Sequence, residues 1–252
     1  MKILLLEEKD KVLLEKIFNN VEFPINFGIG EYNDTLYGED EIIESINTNS
    51  NICFQSAHGA SKFVLMNEKL PYVIKIPLDG YWSDYESEDE EDVFIEFENA
   101  ASDIGSDLDS ELNKNYCETE LRFYEIVKDL SLEKFFAKTE FYKYINGKYI
   151  YIQEKVTPYK YRNNNNNNNN KDDLKSSPLA KKMSKESCSD LAAEWLDIAI
   201  SYYGEELTQK FVDFLSSNNK VAIIIRQDLH VENYGFRKDG SPCLLDYSGY
   251  EL

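Results

Sequence analysis

Histidine and paired cysteine are what this chain most lacks. Only His58 and His230 occur in 252 residues, and the four cysteines (Cys53, Cys117, Cys188, Cys243) form no Cys-x-x-Cys pair. Zinc centres are built from such clusters, so none is expected here. Scattered cysteines also fit reduced thiols in the cytoplasm better than a disulfide framework. No run approaches the roughly 18 apolar residues of a membrane span, and the acidic start of the chain is no secretory signal. A membrane partner is therefore not expected. Basic residues are scarce as well: 27 Lys and Arg stand against 47 Asp and Glu, a net charge of −20. Such a surface repels nucleic-acid phosphates, so nucleic acid is excluded as a partner. What remains is 42% hydrophobic and 13% aromatic, enough to bury a core.

The acid is unevenly placed. Residues 84–111 hold thirteen acids and no Lys or Arg, most of the net charge. They read as a solvated insertion, dispensable for folding. A sharper reading makes them a collar for a basic protein or cationic ligand. Eight consecutive asparagines at 163–170 open a polar, aperiodic stretch, which reads as a linker. Homopolymeric asparagine fits an AT-rich genome, viral or protist. A viral origin would make the compartment the host cytoplasm.

Chemistry concentrates in residues 226–249, RQDLHVENYGFRKDGSPCLLDYSG. Two short runs, 234–237 and 242–245, flank Lys238-Asp239-Gly240-Ser241, and Asp-Gly between such runs predicts a hairpin. A hairpin returns the end of its second strand to the start of its first, so Asn233 and Asp246 should be neighbours, with Asp228 one loop away. An amide oxygen and a carboxylate make a hard-oxygen site suited to Mg²⁺. A second carboxylate nearby can take a proton from a hydroxyl nucleophile.

Upstream, residues 51–54, 62–66 and 72–76 read as strands, the first two separated by the small and polar residues 55–61. The third contains Lys75 inside Val-Ile-Lys-Ile. If that strand is buried on both faces, the lysine needs a partner or an anionic ligand. Residues 117–127 carry Leu121, Tyr124 and Val127 at helical spacing, with Glu120 at the N-terminal edge of the stripe and Glu118 pointing further away. Residues 148–156 alternate as a strand running into a polar connector. Residues 9–18, 40–46, 189–203 and 205–215 read as helices, and 221–225 as a buried strand feeding Asp228.

The Asp228–Asn233 spacing, the hairpin and Asp246-Tyr247-Ser248 together resemble the catalytic and metal loops of the protein-kinase-like superfamily, in which Asp-x-x-x-x-Asn precedes a hairpin and Asp-Phe-Gly. The Asp-Leu-His form is similar to that of aminoglycoside and other small-molecule phosphotransferases. Arg226-Gln227 departs from the usual residues before the aspartate. The resemblance implies ATP and Mg²⁺ as cofactors. It implies Asp228 as base, Asn233 and Asp246 as metal ligands, and Lys75 on the phosphates, paired with Glu120. It also puts a phosphate loop at Gly59 and Ser61, though only one glycine stands where several are common. An adenine hinge falls at Glu154 and Val156. Ile74 and Leu245 are candidate walls for the base, and core packing explains them equally well.

The fold class expected is α+β, a kinase-like two-lobed fold with an antiparallel-sheet N-lobe and a truncated, mainly helical C-lobe. Residues 1–50 form a cap, 51–156 the N-lobe with its insertion at 84–111, 157–188 a linker, and 189–252 a minimal C-lobe. Only six residues follow Asp246, so the resemblance implies an acceptor platform that is missing or supplied by another subunit. The expected function is an ATP- and Mg²⁺-dependent phosphotransferase acting on a hydroxyl of a protein or small molecule. A pseudokinase serving as a nucleotide-binding interaction module is the alternative. A metal hydrolase using Asp228, His230 and Asp246 comes third.

Overall fold

Leu14, Ile17 and Phe18 fall on one stripe of a helix, and all three are fully buried. That helix, α1 (Glu8–Phe18), is followed by β1 (Gly28–Gly30), α2 (Glu39–Ser50), β2 (Gln55–His58), β3 (Lys62–Met66), β4 (Tyr72–Pro77), β5 (Gly80–Ser83) and β6 (Val93–Glu96). Then come α3 (Tyr116–Asp129), a 3₁₀ turn at Glu133–Phe135, β7 (Thr139–Ile145), β8 (Lys148–Glu154) and β9 (Thr157–Pro158). The last elements are α4 (Pro178–Glu186), α5 (Ala192–Tyr203), α6 (Glu205–Ser216), α7 (Lys220–Gln227), a 3₁₀ turn at Val231–Asn233, β10 (Tyr234–Phe236) and β11 (Pro242–Leu244). This computed structural model describes residues 6–24, 26–30, 36, 38–59, 61–83, 93–96, 115–159, 176–186 and 192–248. The chain is α+β. It divides into two compact units, residues 1–119 with 139–154 and residues 120–138 with 155–252.

The first unit is organised by a five-stranded antiparallel sheet in the order β2-β3-β4-β8-β7. Its register aligns Phe63 with Ile76 and Leu65 with Ile74, and then Ile74 with Ile152. Because side chains alternate along a strand, these share one face. They form a single core with Leu14, Ile17 and Phe18 of α1 and Ile42 and Ile46 of α2. Residues 1–50 thus contribute to this core instead of merely capping it. Val64, Lys75 and Tyr151 align in one row on the opposite face. Asn146 and Gly147 both take positive φ and turn β7 into β8. The Asn146 amide donates to the Phe18 and Val21 carbonyls at 2.8 Å each, fixing the end of α1 to that turn.

In the second unit the core is aromatic. Phe135 stacks on Phe211 with centroids 4.2 Å apart, and Trp195, Phe136 and Tyr247 close around them. Burial of each such side chain contributes roughly 1.5–3 kcal/mol.

Four expectations change. Residues 221–225 belong to α7, not to a strand, because Asn219 caps the segment by accepting from the Val221 and Ala222 N–H groups. Val221, Ala222 and Ile225 are its buried residues, a helical spacing that a short apolar run hides. The strand expected at 51–54 begins at Gln55, since α2 runs to Ser50 and Asn51 ends it in the left-handed region. The stretch 157–188 is not all linker: β9 and α4 lie in it, with Ala180 and Met183 buried. Ser177 caps α4, its hydroxyl accepting from Ala180 N–H while donating to Asp197. The polyasparagine run at 163–170 falls outside the described residues. The acidic stretch is likewise not entirely a solvated insertion, because Val93–Glu96 pairs antiparallel with β5 in a sheet ordered β1-β5-β6. Its other residues, and with them the proposed cationic-ligand collar, lie outside the described residues.

Two outcomes test this packing. Phe211→Ala should cost about 3–5 kcal/mol in urea unfolding, as for a large buried aromatic. Asn219→Ala should cost about 1 kcal/mol, the usual loss of an N-cap. A strand at 221–225 would make the second change nearly neutral.

Candidate functional site

The loop that follows α7 is closed by its own side chains. Asp228 ends the helix. The Asn233 amide nitrogen donates to the Asp228 carbonyl at 2.6 Å and lies 3.4 Å from Asp228 Oδ2. Backbone N–H of Asn233 donates to the His230 carbonyl at 3.0 Å. The five-residue interval is thus what lets Asn233 reach back across the turn. His230 Nδ1 accepts from Glu232 N–H at 3.3 Å, and its Nε2 faces Asp228 Oδ1 at 3.7 Å. The Asp228 side chain is only 11% exposed, whereas that of His230 is 53% exposed.

The predicted hairpin is present, with Tyr234 opposite Leu244 and Phe236 opposite Pro242. Gly240 supplies the required positive φ of 88°. Beyond the paired strands, Leu245 N–H donates to the Asn233 carbonyl at 2.9 Å. This bond sets Asp246 one residue from the partner of Asn233, as the sequence predicts. Asp246 Oδ1 accepts from the Ser248 hydroxyl at 3.3 Å. The Asn233 amide nitrogen is thus turned to Asp228, while its backbone carbonyl is tied to the residue before Asp246. Among the described residues no group of three or more His, Cys, Asp or Glu converges.

A backbone network fixes this arrangement. Ala137 N–H donates to the Leu244 carbonyl at 2.7 Å, and the buried Tyr247 hydroxyl donates to the Ala137 carbonyl at 2.7 Å. The Arg237 guanidinium donates to the Lys134 and Phe136 carbonyls. Gly235 is required by close approach: a Cβ there would lie 2.4 Å from Val156 Cγ1, 2.9 Å from the Thr157 carbonyl and 3.0 Å from Leu245 Cδ2. Val156 and Leu245 therefore close over β10.

Lys75 sits on β4 in the first unit, 4% exposed, and is engaged by other groups. Tyr151, its partner across the sheet, donates to Glu118 Oε2 at 2.9 Å and accepts from the Asn115 amide at 2.8 Å. Burial, then the bond to Glu118, pushes the Tyr151 phenol far above its ordinary value, so it remains a donor. Glu118 is thereby held on the Lys75 face, although helical spacing alone ranks it below Glu120. Glu120 itself is fully buried and belongs to the second unit.

The loop at Gly59 and Ser61 is shorter than the sequence suggests, because Gln55–His58 is strand. Gly59 N–H donates to the Lys62 carbonyl at 3.1 Å, so it is spent on the turn. A side chain at Gly59 would meet nothing within 4 Å. Ser61 is buried, and its carbonyl accepts from Leu78 N–H. Glu154 ends β8 opposite Tyr72.

Gly235→Ala should cost about 1–3 kcal/mol in thermal or urea unfolding, the range for overpacking. A neutral effect would show that β9 can move away from β10. No protein-family model, curated protein or solved structure matches this chain.

Proposed function

We propose that this protein is an ATP- and Mg²⁺-dependent phosphotransferase that moves the γ-phosphoryl group to a hydroxyl of a protein or small molecule. The observation that carries this reading is the loop and hairpin geometry: Asn233 is bonded back to Asp228 and stands beside Asp246. A kinase-like two-lobed fold divides the work in this way, with Lys75 on an antiparallel sheet and the acid–base and metal groups on a loop and hairpin of another unit. That fold family belongs to the proposal, as do the hinge role of Glu154 and Val156 and the roles of Lys75 and Glu120.

In this reading Asp228 accepts the acceptor hydroxyl's proton. The freed oxygen bonds to the γ-phosphorus as the bond from phosphorus to the β–γ bridging oxygen breaks, and ADP leaves. Asn233 Oδ1 and the Asp246 carboxylate would hold Mg²⁺, which when bound neutralises phosphate charge. Lys75 takes phosphate oxygens. Tying Asp228 to Asn233 keeps the base oriented, which contributes only where the proton moves.

The second reading, a nucleotide-binding module without turnover, is favoured by one observation. The Gly59 N–H is committed to the turn and so is not offered to phosphate.

Two measurements separate these readings. Asp228→Asn should lower phosphate transfer, or ATP hydrolysis if no acceptor is known, by about 10²–10⁴-fold. Nucleotide affinity should barely change, the pattern of a group acting in the transition state. Full turnover in this variant would eliminate Asp228 as base. In calorimetry Lys75→Met should weaken ATP binding, whereas Asp246→Asn should remove its Mg²⁺ dependence. Unchanged binding in both would remove the kinase reading.

A further inference from the structure

Lys62, a residue with no motif around it, is 4% exposed, as is Lys75. The register places the two on the same face of the same sheet. Lys62 pairs with Pro77 and Val64 pairs with Lys75, so the lysines are diagonal neighbours on β3 and β4. Diagonal positions lie about 7–8 Å apart, within reach of long side chains. Burying one ammonium already requires anionic compensation, and burying two as neighbours requires more. Both are engaged by other groups, and the Glu118 carboxylate is held on this face through Tyr151. Gly59 N–H donates to the Lys62 carbonyl, so the turn after β2 leads directly into Lys62.

We propose that Lys62 and Lys75 form a two-ammonium clamp for a polyphosphate, with Lys62 supplying the phosphate contacts that a glycine-rich loop would otherwise make. This deepens the phosphotransferase reading and rests on it for the identity of the ligand as a nucleoside triphosphate. The clamp itself rests only on the sheet register and burial. It requires that phosphate affinity depend on charge at position 62, and not merely on a filled volume there.

The test is titration of the full-length protein with inorganic tripolyphosphate and with ATP, at several salt concentrations. Lys62→Met should weaken both ligands by about tenfold to a hundredfold, the scale of a lost charged hydrogen bond. The slope of log affinity against log salt should flatten by about one. Lys62→Arg should restore most of the affinity and the slope, which a purely structural role would not predict. A folded Lys62→Met protein that binds tripolyphosphate like the wild type overturns the clamp. A variant-free measurement covers the case in which Lys62→Met loses its cooperative melt. Slow acylation of the wild-type lysines, read by mass spectrometry, should fall at both Lys62 and Lys75 when tripolyphosphate is added. Protection of Lys75 alone overturns the assignment. A wild type that binds tripolyphosphate yet never transfers phosphate would sink the phosphotransferase reading and leave the clamp standing. A wild type that binds neither ligand would overturn both.

Discussion

Asp246 is held in place by backbone that is distant in sequence. The Leu244 carbonyl accepts from Ala137, Tyr247 donates back to the Ala137 carbonyl, and Arg237 ties Lys134 and Phe136 to the hairpin's far end. A two-stranded hairpin alone is marginal in water. Here it is extended by β9 on one side and by the 134–137 segment on the other, and it lies over the Phe135–Phe211 stack. Weakening that attachment frees the end of β11 and with it the carboxylate beside Asn233. The aromatic core and the candidate chemistry of this unit are therefore one construction.

The first unit solves a different problem. One face of its sheet is apolar and covered by α1 and α2. The other carries the row Val64, Lys75 and Tyr151, with Lys62 diagonal to Lys75. Buried lysines destabilise a fold unless anions answer them, so this face is organised around charge where its reverse is organised around hydrocarbon. Tyr151 shows how: its phenol stays protonated and orients Glu118 while resting on the sheet. In the proposed function this is the face that takes the phosphate ligand.

The proposed function draws on residues of both units. The proposed phosphotransferase reading assigns the Asp228 carboxylate as the acid–base group, Asn233 and Asp246 as the cation site and the buried lysines as the anion-binding groups. Each alone occurs in proteins of many kinds. The proposal rests on their joint presence in one chain, and turnover is the property that distinguishes phosphoryl transfer from simple binding.

The sequence alone determined the loop and hairpin around Asp228, Asn233 and Asp246, because both are local. A five-residue interval lets a side chain close on its own backbone, and Asp-Gly turns two adjacent runs into a known register. Asn146-Gly147 carried the same kind of signal for β7 and β8, and Ser177-Pro178 did so for α4, though each is plain only beside its partner. Tertiary structure decided the rest. Residues 221–225 became a helix because a cap and a core competed with β propensity. Gln55–His58 became a strand because Lys62–Met66 lay beside it to complete its hydrogen bonds. Val93–Glu96 joined a sheet through β5 despite its acidic surroundings. Lys62 acquired meaning only when register placed it on the face of Lys75, since charge in a sequence has no neighbour until strands pair.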